Sequence, residues 1–262
     1  MQLWATLLEA SGPPVVVENC KNTPWFPEPP YKPTGTVWCP FNFYRVSVDV
    51  EVLYASIFGV NLQEMRHWGA VNLSFPGCLA YADMLEVGVT PGVHPDEQAL
   101  THSEARAHFG AWVVTSSPLI LGLDVRDAAA VDGVWDILSN REALAISEAW
   151  AGGAGTLIAR AASNVTWTPC GGQIKSCGAG EWEVWSKPLP GGGAALLALN
   201  HRGAGATADV SLPLAAVPGL ACTSACRVRD VWARSDNGTT TGGVWQVSGI
   251  PSHDSVFVTL TP

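Results

Sequence analysis

Arginine, serine and aspartate alternate with valine in the stretch Phe43-Tyr44-Arg45-Val46-Ser47-Val48-Asp49-Val50. On an extended strand successive side chains point to opposite faces, so Arg45, Ser47 and Asp49 share one face and Val46, Val48 and Val50 the other. The aspartate can look at water, cap the helical stretch that begins at Glu51, or work in a cavity as a proton donor and acceptor. Four residues of regular strand span about 13 Å. Arg45 and Asp49 are therefore expected to bracket a small-molecule-sized space rather than to form an ion pair. Asp83, in Ala82-Asp83-Met84-Leu85-Glu86-Val87-Gly88, is either a loop residue capping a turn or a second pocket carboxylate. Glu18 ends an apolar run and reads as a strand-end residue hydrogen-bonded to its neighbours.

The chain around these groups has 262 residues, 47% of them hydrophobic and 14% charged, enough to bury a large core in one big domain or two ordinary ones. A net charge of -9 with no basic run argues against a nucleic-acid surface. There is no uninterrupted apolar run of about eighteen residues, so no membrane span is expected. The six histidines show no paired metal-ligand spacing; His102 and His108 read as helix residues, and neither a metal nor a cofactor is expected. Most of the twelve tryptophans fall in core patterns, while Trp25 and Trp38 sit in a proline-rich loop where they could stack on a ligand.

Seven cysteines lack the double CxxC spacing of a zinc site. Three disulfides with Cys78 left over are expected: Cys170 with Cys177, Cys222 with Cys226, and Cys20 with Cys39 across the proline-rich loop. That reading implies an oxidising compartment. Sequons at Asn72, Asn164 and Asn237 agree with secretion. The N-terminus, MQLWATLLEASG, does not look like a signal peptide. Leu3, Leu7 and Leu8 recur at helical spacing and Gly12-Pro13-Pro14 stops them, as at the end of a helix. A start in mid-helix suggests a fragment.

Strands alternate with helices over the first part of the chain. Val15 to Val17 suits a strand buried on both faces. Phe43 to Val50 is the next strand, followed by a helical pattern from Glu51 to about Trp68. Ala70 to Ser74 is a short strand candidate, and Pro76 to Gly88 reads as a loop. Thr101 and Glu104 form a capping box for a helix to Val114. Ser116 to Asp124 is another buried strand, with two short helical stretches after it. Such alternation means right-handed βαβ units and a parallel sheet. From Gly155 on, helical periodicity disappears and short alternating segments take over, as expected of an antiparallel sandwich. The expected domains are 1–153 and 154–262. Four βα units make half of a (β/α)8 barrel, which alone takes about 250 residues. A doubly wound sheet would want a glycine-rich turn after the first strand, and Val-Val-Val-Glu-Asn-Cys-Lys-Asn has none.

PVVVENC, FYRVSVDV, GCLAYADMLEVG, LTHSEARAHFGAWVVTSSPLILGLDVRD, ILSNREALAISEAWAG and EVWSKPL together resemble the C-terminal two-thirds of the glycoside hydrolase family 27 α-galactosidases, or melibiases, from about Pro13 to the end. The resemblance implies the C-terminal half (strands 5–8) of a (β/α)8 TIM barrel followed by an antiparallel β-sandwich. It implies a retaining hydrolase of terminal α-galactosides that uses no metal, in a secreted or vesicular, lysosome-like compartment. The homodimer stays open. Asp49 matches the general acid/base, and Arg45, Asp83 and Met84 match substrate-binding positions. Cys20–Cys39 matches a disulfide beside the active site, and Cys222–Cys226 one in the C-terminal domain.

Three departures qualify the match. Tyr44 and Val48 replace the usual tryptophan and glycine of the motif. Lys21 stands about where the family reads the substituent at carbon 2 of the sugar, leaving α-N-acetylgalactosaminides open as substrates. A retaining glycosidase also needs two carboxylates about 5 to 5.5 Å apart, and the family's nucleophile lies on barrel strand four, ahead of every segment matched. The chain thus reads as a truncated form lacking the nucleophile, or as a non-catalytic sugar-binding or remnant protein.

Overall fold

The computed structural model describes residues 2–12, 14–20, 39, 41–70 and 74–262. Lys21, Trp25, Trp38 and Asn72 lie outside the described residues. Helix α1 (Gln2–Ser11) precedes a parallel sheet in which β1 (Glu18–Asn19) pairs with β2 (Phe43–Arg45), and β2 with β3 (Leu79–Tyr81). Between β2 and β3, α2 (Tyr54–Ser56) runs through a π-helical stretch (Ile57–Asn61) into α3 (Leu62–Ala70). After β3 comes α4 (His102–Thr115), opened by the expected capping box of Thr101 and Glu104. Asp127 caps α5 (Ala128–Leu138) and Asn140 caps α6 (Arg141–Glu148), each accepting from two backbone N–H groups.

The strands of this half are shorter than expected. Val15 and Val16 are 52% and 71% exposed, not buried, and pairing begins only at Glu18. β1 is the outer strand of the described sheet; of the run ahead of it, Val17 bonds Asn42 through its N–H and its carbonyl, and Val15 and Val16 have no sheet neighbour among the described residues. Ser116 to Asp124 forms a single bridge, Leu85 with Leu121, instead of a strand. Leu85 N–H donates to Ile120 O and Gly122 N–H to Leu85 O, and the ladder goes no further. Ala70 ends α3, residues 71–73 lie outside the described residues, and the strand falls instead at Leu79–Tyr81, within the segment read as a loop. The turn Pro76-Gly77, with Gly77 at φ 86°, starts a short apolar run there.

The second half begins with β4 (Thr156–Arg160), β5 (Asn164–Trp167), β6 (Cys177–Gly180), β7 (Trp182–Leu189) and β8 (Gly193–Asn200). It continues with β9 (Ala208–Pro213), β10 (Arg227–Asp230), β11 (Ser235–Thr239), β12 (Val244–Ile250) and β13 (Ser255–Thr261). Six of these strands form an antiparallel sheet in the order β11-β10-β13-β8-β7-β4; β9 pairs with β12 and β5 with β6.

Strand β8 shows how the halves join. Every residue of it is buried. Ala195, Leu197 and Leu199 share a core with Phe58, Phe109 and Trp112 of the helical half, while Ala194, Leu196 and Ala198 face the sandwich interior with Val210, Leu212 and Trp245. The period of two thus assigns alternate side chains to two different cores. Polar contacts cross the same seam. Arg106 pairs with Asp254 at 2.7 Å, and Tyr54 stacks on His253 with ring centroids 3.8 Å apart. The buried Lys187 ammonium donates to the Ile146 and Ser147 carbonyls at the end of α6, and burial pulls it down to about 8.

The disulfides are Cys39–Cys78, Cys170–Cys177 and Cys222–Cys226. Cys39 therefore does not bond Cys20, and Cys78 is not the one left over; Cys20 is the free thiol, exposed. The reason is geometric: Phe75 and Cys78 exchange two backbone hydrogen bonds in a tight turn just before β3, which brings Cys78 beside the start of β2 and Cys39. No helix among the described residues is long and apolar enough to cross a membrane.

Candidate active site

The ends of β2 and β3 carry the polar groups singled out in the sequence. Parallel pairing sets Arg45 beside Tyr81, and one more bond, Val46 N–H to Tyr81 O at 3.0 Å, closes the ladder. Beyond it both chains leave the strand. The alternation of valines fails there: Val46 is 2% exposed but Val48 37%. Since the backbone bends after Val46, Arg45 and Asp49 are not held a strand length apart. Arg45 Nη2 lies 2.8 Å from Asp49 Oδ1 and 2.8 Å from Asp83 Oδ2, so the two acids share one guanidinium nitrogen. The expected gap between Arg45 and Asp49 is replaced by an ion pair.

The three members of this cluster differ in burial. The side chains of Arg45 and Asp83 are 7% and 8% exposed, whereas that of Asp49 is 88% exposed. Nor does Asp49 cap the following helix: α2 starts after Leu53, with no side-chain cap. Asp83 is committed inward. Its Oδ1 accepts from Met84 N–H and its Oδ2 from Val50 N–H, both at 2.9 Å. Its backbone takes a left-handed φ of 87°, costly for a residue with a Cβ. Trp112 Nε1–H holds that conformation by donating to Asp83 O at 2.7 Å. Met84 is 41% exposed and meets the cluster through its backbone N–H.

Arg45 Nη1 also donates to Cys20 Sγ at 3.5 Å and Nη2 to Ser47 O at 3.3 Å, while its buried Nε finds no partner among the described residues. Burial works against this cation, but Asp83, Asp49 and Cys20 outweigh it and hold the guanidinium above its usual range. Partial burial pushes the Glu18 carboxyl up, Arg45 opposes this and Asp83 adds to it, which sets Glu18 within electrostatic reach of both. Chemically, the arrangement is one accessible carboxylate at the mouth of the strands, held by an arginine that a buried carboxylate anchors.

Sequence reasoning passed over four supporting groups. Asn61, 0% exposed, bridges the two loops through its amide. Ser117 Oγ accepts from Ala82 N–H. His108 Nε2 accepts from Glu86 N–H, which puts the ring proton on Nδ1, and burial pulls the imidazole down to about 3. Glu86 is 7% exposed, and burial, with Asp83 and Glu97 adding, pushes its carboxyl up to about 7. The available signal was a polar residue at an apolar helix position: Asn61 falls one turn after Ile57 and beside Leu62. No group of three or more potential metal ligands occurs among the described residues.

Residues 179–260 match a family model described as the alpha galactosidase C-terminal beta sandwich domain. An α-galactosidase from Coffea arabica is 32% identical over 181 residues, which are 69% of this chain and 39% of the relative. Alpha-galactosidase 3 from Arabidopsis thaliana is 28% identical over 221 residues, 84% of this chain and 43% of the relative. The matched stretches therefore span less than half the length of both. Among solved structures, α-galactosidase I from Mortierella vinacea superposes with a TM-score of 0.72 at 18% identity, covering 99% of this chain and 61% of that one. The Saccharomyces cerevisiae enzyme solved with raffinose gives 0.71 at 17% identity, covering 100% and 67%. At such identities the likeness is one of fold: the C-terminal part of a (β/α)8 barrel followed by an antiparallel β-sandwich.

Proposed function

We infer that this chain, a relative of the C-terminal portion of the glycoside hydrolase family 27 α-galactosidases, supplies the acid/base side of a retaining glycosidase acting on terminal α-D-galactosides. The observation that carries the reading is the cluster itself: Asp49 is accessible at the strand ends, and the arginine that holds it is buried against Asp83. In the first step the protonated Asp49 carboxyl gives its proton to the glycosidic oxygen as the bond from carbon 1 breaks. A second carboxylate attacks carbon 1 from the opposite face. In the second step Asp49 takes a proton from the water that displaces that carboxylate. To donate, the Asp49 side chain turns off Arg45, and its exposure leaves it room to do so; Arg45 then stays paired with Asp83. Asp83 is a poor attacking group here, because both of its oxygens are occupied. The attacking carboxylate is assigned to barrel strand four, which the family places ahead of Pro13, so the activity belongs to a protein that includes that strand. Three disulfides suit an oxidising compartment.

The test starts with the transcript upstream of Met1, where a strand ending in Lys-x-Asp is expected. Protein that includes it should release nitrophenol from a nitrophenyl α-D-galactoside, and Asp49→Asn should lower kcat about 10²- to 10⁴-fold with thermal stability unchanged. Full turnover in the variant would refute the role of Asp49. Raffinose binding without release by the same protein would favour the non-catalytic reading.

A further inference from the structure

We propose that Asn61 is a positioning residue that sets the spacing between the loop bearing Asp49 and the loop bearing Asp83; the proposal rests on the acid/base reading of Asp49. The backbone ladder between β2 and β3 stops at Val46 N–H to Tyr81 O, and past it the described residues 47–50 and 82–84 make no backbone–backbone bond. Asn61 takes over where the ladder ends. Its Nδ2 donates one hydrogen to Val48 O at 3.0 Å and the other to Ala82 O at 2.9 Å. Each carbonyl belongs to the residue immediately before an aspartate of the cluster.

The other end of the amide has a longer and weaker contact. Ser56 Oγ donates to Asn61 Oδ1 at 3.5 Å and accepts from Glu51 N–H at 3.0 Å, tying the amide to the chain just beyond Asp49. Only a side chain with two donors on one nitrogen can join two carbonyls in this way. A carboxylate has none, and an apolar residue of the same shape would leave Ala82 O without its donor and Val48 O with Ser47 Oγ–H alone. The π-helical stretch Ile57–Asn61, in which Leu62 N–H reaches back five residues to Ile57 O, places Asn61 at its last position. Such stretches are uncommon and gather at functional sites. The strained φ of Asp83 therefore has Asn61 and Ser117 on the residue before it and Trp112 on its own carbonyl. A shift of about 1 Å between acid/base and binding group costs rate while leaving binding largely intact.

The experiment compares Asn61→Leu and the milder Ser56→Ala with their parent, the protein that includes barrel strand four, per folded and active-site-titrated molecule. On a nitrophenyl α-D-galactoside, Asn61→Leu should lower kcat about 10- to 100-fold with KM within about threefold, and Ser56→Ala should move kcat the same way by a fewfold. A purely structural role would lower the folded fraction but leave kcat per folded molecule unchanged, and that result overturns the proposal. If the parent hydrolyses no α-galactoside, the functional reading fails, and positioning is then read from hydrogen exchange of the Val50 amide, which donates to Asp83. Exchange at Val50 should quicken at least tenfold in Asn61→Leu, or a fewfold in Ser56→Ala should Asn61→Leu not fold, relative to amides of β8. Equal protection in parent and variants overturns it.

Discussion

Two apolar runs, Val15 to Val17 and Ala194 to Leu199, are alike in composition, yet only the second is a strand over its length. β8 lies between β13 and β7, with a core on each face, and none of its side chains reaches solvent. Val15 and Val16 precede the outer strand of the described parallel sheet and are mostly exposed. The difference shows that an apolar run becomes a buried strand only where the fold supplies both a hydrogen-bonding neighbour and a second layer. Truncation measures this directly. Leu197→Ala should cost about 2–5 kcal/mol through lost burial and a residual cavity, while Val16→Ala should stay within about 0.5 kcal/mol. Urea denaturation of both variants checks the contrast, and comparable losses would break it.

Two buried glutamates draw the same line between the halves. Burial pushes the Glu183 carboxyl up, but the His201 ring, Gly180 N–H and the Gln63 amide outweigh it, and the group is held below its usual range. Glu86 receives no hydrogen bond on its carboxyl from any described residue, and burial raises it from 4.5 to about 7. The sign follows from proton binding. Between about pH 4.5 and 7 the unfolded chain releases this proton while the folded chain keeps it, so stability falls as pH rises through that window and is flat above it. The fall amounts to roughly 3 kcal/mol. Glu86→Gln should abolish that part of the slope, as read from denaturant unfolding at pH 4.5 and 7.5; an unchanged slope would place a partner on Glu86 and weaken the contrast with Glu183.

What could be read from the sequence was local or periodic. Thr101 and Glu104 are three apart, so their capping box needs nothing from the rest of the fold. Cys170 with Cys177 and Cys222 with Cys226 are near neighbours, and both bonds form. What escaped depends on distant chain. The pairing of Arg45 with Asp49 turns on where β2 ends, and that is decided by how far Tyr81 can extend the ladder. Asn61 looks like a flaw in an apolar helix face until the carbonyls of Val48 and Ala82 are set on either side of its amide. Cys39–Cys78 likewise needed the turn between Phe75 and Cys78, which sequence spacing alone does not reveal.

That disulfide gives the third and smallest contrast between the halves. Cys39 and Cys78 are 39 residues apart and Cys222 and Cys226 only 4. In the chain-entropy account, closing the longer loop stabilises by about 4 kcal/mol and the shorter by about 2 kcal/mol. The double variant Cys39→Ala/Cys78→Ala should therefore lose about 2 kcal/mol more than Cys222→Ala/Cys226→Ala, measured by urea unfolding. The longer loop encloses β2, Asp49 and Asn61, so its release should also expose the Val50 amide to exchange, whereas release of the shorter one should not. A thiol reagent on the native chain should label Cys20. Labelling of Cys78 in its place would restore the Cys20–Cys39 pairing and remove the bond that ties the start of β2 to β3, and equal losses in the two double variants would show that the parallel sheet does not depend on it.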